Sequence, residues 1–251
     1  MDAEEYVIGV LGSMGINAEK IPESDSDSPD FIASYGKTKL LVELKTKTDD
    51  LEKLKTREEI LARGDIYNDS TEITHQKTIA KRIRKASKQL DATDLDVDFR
   101  IVWLLALGEK QDTKLKQFEM TLYGSVNLFD LSDGTNQMKS CFYFGESSFY
   151  RYRDILDGAM VSTLDKGRFC INNHSPNYAA LKNSDVIGAF GEGILDPVEL
   201  EKEGRAYIAD SEVDRSNKAD VLSSVQKKYK KSRLIDLNFT HYSATTTVSY
   251  E

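Results

Sequence analysis

Residues 28–45 read SPDFIASYGKTKLLVELK, and their last three positions decide how the chain is read. Leu40-Leu41-Val42 is apolar enough for a core strand, yet the run continues as Glu43-Leu44-Lys45. Side chains at i and i+2 of a strand share a face. Glu43 and Lys45 therefore project together, and Leu44 turns the other way into the core. Upstream, Asp30 to Tyr35 alternates as a second strand with Asp30, Ile32 and Ser34 on one face, and Gly36-Lys37 supplies a tight turn. Pairing these strands can bring Asp30 and Glu43 to one side of a sheet edge. Two carboxylates held so close repel each other unless a cation lies between them. Oxygen ligands of this kind suit Mg²⁺ or Mn²⁺, with the Leu44 carbonyl as a further ligand and water and phosphate oxygens completing the shell. Lys45 then faces a phosphate and either stabilises developing negative charge or helps to orient the attacking water, and the metal offers a water of lowered pKa as nucleophile. The bland alternative is an exposed strand carrying a surface ion pair, which contributes little stability.

Working outward, residues 3–14 read as a helix, with Tyr6, Val7, Val10, Leu11 and Met14 at helical spacing and Gly15 as its stop. Ile16 to Ile21 is a short strand, 22–28 a polar loop, and 38–47 the motif strand. Residues 49–63 form a charged helix, followed by Gly64 and a loop at Asn68-Asp69-Ser70. Residues 72–90 carry the strongest helical pattern, with Ile73, Gln76, Ile79, Ala80, Ile83, Ala86 and Leu90 on one side. Arg100 to Leu107 is a nearly continuous apolar run, as in a strand buried on both faces. The order helix, three strands, helix, strand predicts an α/β (α+β) core, a central mixed β-sheet flanked by helices. Beyond 108, strands are expected at 118–130 and 141–145, helical or mixed structure at 149–160, a basic amphipathic helix at 219–235 and an edge strand at 239–250.

Pro29-Asp30 followed by Glu43-Leu44-Lys45 resembles the PD-(D/E)XK nuclease superfamily, the restriction-endonuclease-like fold. The element order is similar to that family's core, and the resemblance covers residues 1–108. Residues 109–251 read as a C-terminal extension that completes the fold or forms a subdomain for substrate selection or assembly. The resemblance implies a metal-dependent nuclease that hydrolyses phosphodiester bonds in DNA. In it Asp30 and Glu43 bind Mg²⁺ or Mn²⁺ and Lys45 assists catalysis. It also implies a further acid on the first helix, Glu4 or Glu5, of which the helix register favours Glu4. A Gln or Lys on the helix after the third strand is implied too, for which Gln76, Lys77 and Lys81 are candidates. Such enzymes often act as homodimers. The rival reading is a catalytically inactive module of the same fold that binds nucleic acid or a protein partner; a third is a protein-interaction scaffold.

Composition bounds these readings. At 251 residues the chain can bury a proper core as one large domain or two small ones. Its formal net charge of −8 argues against attachment to polyanions by bulk charge, so any nucleic-acid contact has to be local. Lys77, Lys81, Arg84 and Lys88 fall on one helical face and suggest such a phosphate-backbone contact; a solvated helix face is the alternative. Lys227, Lys228, Lys230, Lys231 and Arg233 form a second basic cluster. The aromatic group Phe142, Tyr143, Phe144, Phe149, Tyr150 and Tyr152 is expected to pack in the core rather than stack bases. Cys141 and Cys170 are too few for a disulfide framework and fit a reducing, cytoplasmic setting. His75, His174 and His241 lack zinc-ligand spacing, and no glycine-rich phosphate loop is evident. The acidic start is unlike a signal peptide, and no stretch approaches the ~18 apolar residues of a membrane span.

Overall fold

The structure, a computed structural model, describes residues 2–22, 28–132, 137–210, 212–237 and 241–247. Most of the expected polar loop, 23–27, and parts of the 239–250 segment lie outside the described residues. Helix α1 (Ala3–Ser13) starts at Asp2, whose side chain accepts from the Glu4 N–H at 3.4 Å. Strands β1 (Asn17–Lys20), β2 (Phe31–Tyr35) and β3 (Thr38–Lys47) follow as an antiparallel meander. The β2–β3 turn holds Gly36 at φ +59°, a conformation that glycine adopts without a Cβ penalty. Next come α2 (Leu51–Ala62), β4 (Tyr67–Glu72), α3 (Lys77–Ala92) and β5 (Phe99–Ala106). β5 lies parallel to β3, with Glu43 opposite Val102.

The second half of the chain adds α4 (Gln111–Tyr123), β6 (Val126–Asp130), β7 (Gln137–Phe142), α5 (Ser148–Arg151), β8 (Gly158–Ser162) and β9 (Gly167–Ile171). It continues with α6 (Tyr178–Lys182), α7 (Asp185–Ala189), β10 (Ile194–Leu195), α8 (Pro197–Lys202) and β11 (Ala206–Ile208). The last elements are α9 (Lys218–Tyr229), β12 (Leu234–Asp236) and β13 (His241–Thr246). The architecture is mixed α/β. A central sheet is ordered β1-β2-β3-β5-β8-β9-β10, with β3, β5 and β8 parallel at its middle. Strands β8, β9 and β10 all belong to this sheet, so residues beyond 108 complete it. A second sheet, β11-β7-β6-β12, packs with α9 around Leu128, Cys141, Val221 and Val225.

Strand alternation divides the main core into two layers. Leu40, Val42 and Leu44 of β3 and Ile101, Trp103 and Leu105 of β5 pack on the face that carries α1, α6 and α7. Leu41 of β3 and Val102, Leu104 and Ala106 of β5 pack on the face covered by α3 and α4. Both faces of β5 are buried, as its unbroken apolar run predicts. Helix α3 presents Ile79, Ile83, Ala86 and Leu90 to the sheet, each worth up to about 1.5–3 kcal/mol of burial for the larger side chains.

Several expectations fail locally: the helix expected over 219–235 ends at Tyr229 and Leu234–Asp236 is strand β12, and the strand expected over 141–145 ends at Phe142. Residues 118–123 are not strand but the end of α4, because its buried side includes the polar residues Thr113, Lys114, Gln117 and Thr121 and so lacks an apolar helical signature. Residues 68–70 are not a loop but part of β4, which pairs with β13 from Tyr67↔Thr246 to Glu72↔His241. Helix α3 begins at Lys77 rather than 72, since the Gln76 N–H is taken by Thr121 Oγ1 at 3.0 Å. The aromatic residues Phe142, Tyr143, Phe144 and Phe149 are core, with Tyr123 edge-on to Phe142 and Phe149 at 5.0 Å. Among the described residues no helix is long and apolar enough to cross a membrane.

Candidate functional site

The β2–β3 register runs from Tyr35↔Thr38 to Phe31↔Val42. One step further sets Asp30 opposite Glu43, on the α3 side of the sheet by alternation from Leu41. Directly opposed residues of an antiparallel pair have Cβ atoms about 4.5–5.5 Å apart. Asp30 Oδ2 accepts the Leu44 N–H at 2.6 Å, which fixes this carboxylate against β3. An extended residue points its N–H and C=O to the same side, so the Leu44 carbonyl also faces the Asp30 side. The Leu44 side chain lies in the opposite core layer.

Glu43 is fully buried. Its Oε1 accepts from Lys45 Nζ, and its Oε2 is buried with no hydrogen-bond partner. Burial pushes the Glu43 carboxyl up to about 7; the Lys45 hydrogen bond pulls against that rise, and the Asp30 charge adds to it. The structure thus brings Asp30, Glu43 and Lys45 together with one carboxylate oxygen unsatisfied.

Glu4 does not join them. It is ion-paired with Lys20 of β1 at 2.6 Å and rides on α1, which packs on the other face of the sheet. Among the described residues, no group of three or more His, Cys, Asp or Glu side chains is gathered to hold a metal ion. The acidic part of the site is therefore Asp30 and Glu43. Gln76 stands at the N-cap position of α3 without a side-chain capping bond and lines the 400 Å³ cavity beyond β3 rather than the carboxylates.

The basic stripe lies elsewhere on α3. Lys77, Lys81, Arg84 and Lys88 are exposed on the side away from the sheet. The first three line a groove with His75, Arg151 and Tyr152, next to α5. Two residues not singled out by the sequence flank the carboxylates instead. Arg82 donates to the Thr46 carbonyl, one position past Lys45. Gln89 donates from Nε2 to the Ser28 carbonyl at 3.1 Å, two positions before Asp30, and its buried Oε1 has no partner. Their spacing of seven residues sets them on one helical stripe, a signal legible only once the side of α3 that faces β3 is known.

The second basic cluster is partly neutralised: Lys228 pairs with Glu201 at 2.9 Å and Lys231 with buried Asp130 at 2.7 Å. His174 packs edge-on against Tyr143 at 4.3 Å, and the His241 side chain lies outside the described residues.

No family model matches the chain, and no curated protein or solved structure matches it.

Proposed function

We propose that this chain is a metal-dependent nuclease on a PD-(D/E)XK, restriction-endonuclease-like core, hydrolysing phosphodiester bonds in DNA. The observation that carries the reading is the Asp30–Glu43 pair with its orphaned Glu43 Oε2, flanked on the same strand face by Lys45. A buried carboxylate oxygen without a donor costs about 1–3 kcal/mol, which a bound cation removes. Asp30, Glu43 and the Leu44 carbonyl form an all-oxygen donor set of the kind that suits Mg²⁺ or Mn²⁺. A divalent cation held there supplies Lewis-acid polarisation of the phosphodiester and activation of water.

The chain's own residues do the rest. The Leu44 N–H aims the Asp30 carboxylate, and Gln89 holds the segment leading to it through the Ser28 carbonyl. Lys45 donates to Glu43 Oε1 and only partly offsets the burial that favours the protonated acid. With Glu43 engaged by a cation, the Lys45 ammonium would be the group on this strand face placed to stabilise negative charge developing on a phosphate. The groove of Lys77, Lys81 and Arg84 offers phosphate-backbone contacts one helix width away.

Supercoiled plasmid and single-stranded DNA incubated with Mg²⁺ or Mn²⁺ test the reading. Cutting is expected for the wild type and lost in Glu43→Ala and Lys45→Ala. Cutting that survives both substitutions removes this site. DNA binding without cutting under either metal replaces the nuclease by the non-catalytic binding module, a reading that the small acidic set also fits.

A further inference from the structure

Past Lys45 on the same face of β3 stands Lys47, one two-residue step or roughly 6.6 Å along the strand. It lines a cavity of about 400 Å³ at the carboxyl ends of β3 and β5, walled by α2, β4 and the start of α4. In open α/β sheets this end of the parallel strands is where ligands bind. As many acids as bases line the cavity, and most are spent on each other: Arg57 pairs with Glu109, Lys110 with Asp69 and Lys114 with Asp49.

Lys47 is served differently. Its Nζ donates to Gln117 Oε1 at 2.6 Å, an amide rather than a carboxylate. Gln117 is only 3 % exposed and is fixed in turn, donating from Nε2 to the Glu72 carbonyl at 2.5 Å. The Lys47 nitrogen is thus aimed and half-buried, and among the described residues it forms no ion pair. Burial lowers its pKa to about 8, and two cations, Lys114 and then Arg82 from outside the cavity, push the same way. At pH 7.5 roughly a quarter of Lys47 is therefore free amine, against about 0.1 % of an ordinary lysine. A lysine desolvated beside another cation is a nucleophile toward carbonyl carbon. Among the described residues that line the cavity, only Leu54 and Tyr67 carry large apolar side chains, whereas Ser70, Thr71 and Thr113 bring hydroxyls.

We propose that Lys47 is the nucleophile of a covalent subsite for a short hydroxylated aldehyde, an open-chain sugar, which it holds as an imine. The amine nitrogen adds to the carbonyl carbon and forms the C–N bond. The carbonyl oxygen then breaks away with the two amine protons as water, and hydrolysis reverses the step. Lys114, the neighbouring ammonium, is placed to lend and regain the proton of that departure. Imine formation needs no leaving group, oxidant or reductant, only these proton transfers. The hydroxyl-lined wall suits the body of a sugar. The aldehyde comes either from a free sugar or from the sugar of an abasic position in a nucleic-acid strand. The second source rests on the nuclease reading; the subsite itself does not.

Reductive trapping on the whole chain tests this, at pH 7.5 in EDTA so that cutting plays no part. D-Glyceraldehyde and sodium cyanoborohydride are added, and peptide mass mapping follows each lysine. Lys47 is expected to be labelled about a hundredfold faster than the exposed Lys53 and Lys55, in line with its larger free-amine fraction. Its rate should saturate in glyceraldehyde and rise with a midpoint near pH 8. Propanal, of the same chain length without the hydroxyls, is expected to label Lys47 about tenfold more slowly, the worth of one hydrogen bond. Labelling of Lys47 no faster than of Lys53, or equally fast with propanal, overturns the proposal. A single-stranded oligonucleotide with one abasic position replaces glyceraldehyde in a second arm. Crosslinking mapped to Lys47 assigns the subsite to a strand; glyceraldehyde labelling without crosslinking assigns it to free sugars. Trapping at Lys47 by a chain that cuts no DNA with Mg²⁺ or Mn²⁺ rejects the nuclease and keeps the subsite; cutting by a chain whose Lys47 is labelled like Lys53 does the reverse.

Discussion

Asp30 and Glu43 face each other across the β2–β3 pair, and only Glu43 is fully buried. The two acids are therefore unequal: Asp30 has a backbone N–H at 2.6 Å, whereas Glu43 Oε2 has no donor and only the Asp30 carboxylate beside it. The carboxylate that sits deeper is the one that ionises with greater difficulty.

Metal-free stability should fall as Glu43 ionises. Its folded pKa of about 7 lies above the unfolded value of 4.5, so the folded state holds the extra proton between those limits. Stability is then lost as pH rises from about 4.5 to 7, by roughly 2–3 kcal/mol from this group. Glu43→Gln should abolish that component and be the more stable protein at pH 8 in EDTA. Denaturant titrations followed by Trp103, the only tryptophan of the chain, measure it. Parallel pH profiles for the two proteins would show that Glu43 is not the titrating group.

Asp30→Asn separates charge from hydrogen bonding. The amide oxygen can still accept the Leu44 N–H, but the repulsion that raises the Glu43 pKa is gone. The pH at which Glu43 ionises should fall below the wild-type value, while cutting drops about 100-fold or more for want of a charged ligand. A raised midpoint contradicts the placement of Asp30 beside Glu43.

Lys114→Met should destabilise the fold by about 3 kcal/mol, because it strands Asp49 beside a nearly buried position. Lys114 also donates to the Leu107 carbonyl at 2.5 Å, so the loss includes a backbone acceptor. A change below about 0.5 kcal/mol in urea would mean that this pair is solvated like a surface one.

Gly108→Ala strikes the same region from the other side. Gly108 has φ +77°, and a Cβ there would lie 2.1 Å from Asp49 Oδ2, an atom already held by the Glu109 N–H at 2.6 Å. The cost should be about 1–2 kcal/mol, readable in the same urea titration. A neutral substitution would show that Asp49 moves freely.

On α3, Lys81→Ala and Arg84→Ala should each weaken DNA binding evenly across sequences and reduce the salt slope by about 1. Lys228→Ala, whose charge is engaged by Glu201, should leave the slope unchanged. Anisotropy titrations at several salt concentrations compare them; equal slopes for all three would remove the groove as a contact.

The sheet's centre was legible because its signals are local. The limits of β3, 38–47, follow from an apolar run and charges two apart, and Gly36 marks the turn that sets Asp30 against Glu43. α4 was not legible, since burial of Thr113, Lys114, Gln117 and Thr121 erases the contrast between its faces. β4 has no apolar residue besides Tyr67, and its partner lies some 170 positions away in β13. The placement of Glu4 and of Gln89 depends on which side of the sheet each helix crosses, which no spacing within a helix encodes.

That distant pairing bears on biosynthesis. β4 supplies Tyr67, Asp69 and Glu72 to the wall of the Lys47 cavity, but its ladder needs residues 241–246. The carboxylate pair draws only on β2 and β3, neighbours in sequence, whereas a nascent chain cannot brace this wall until synthesis has passed β13.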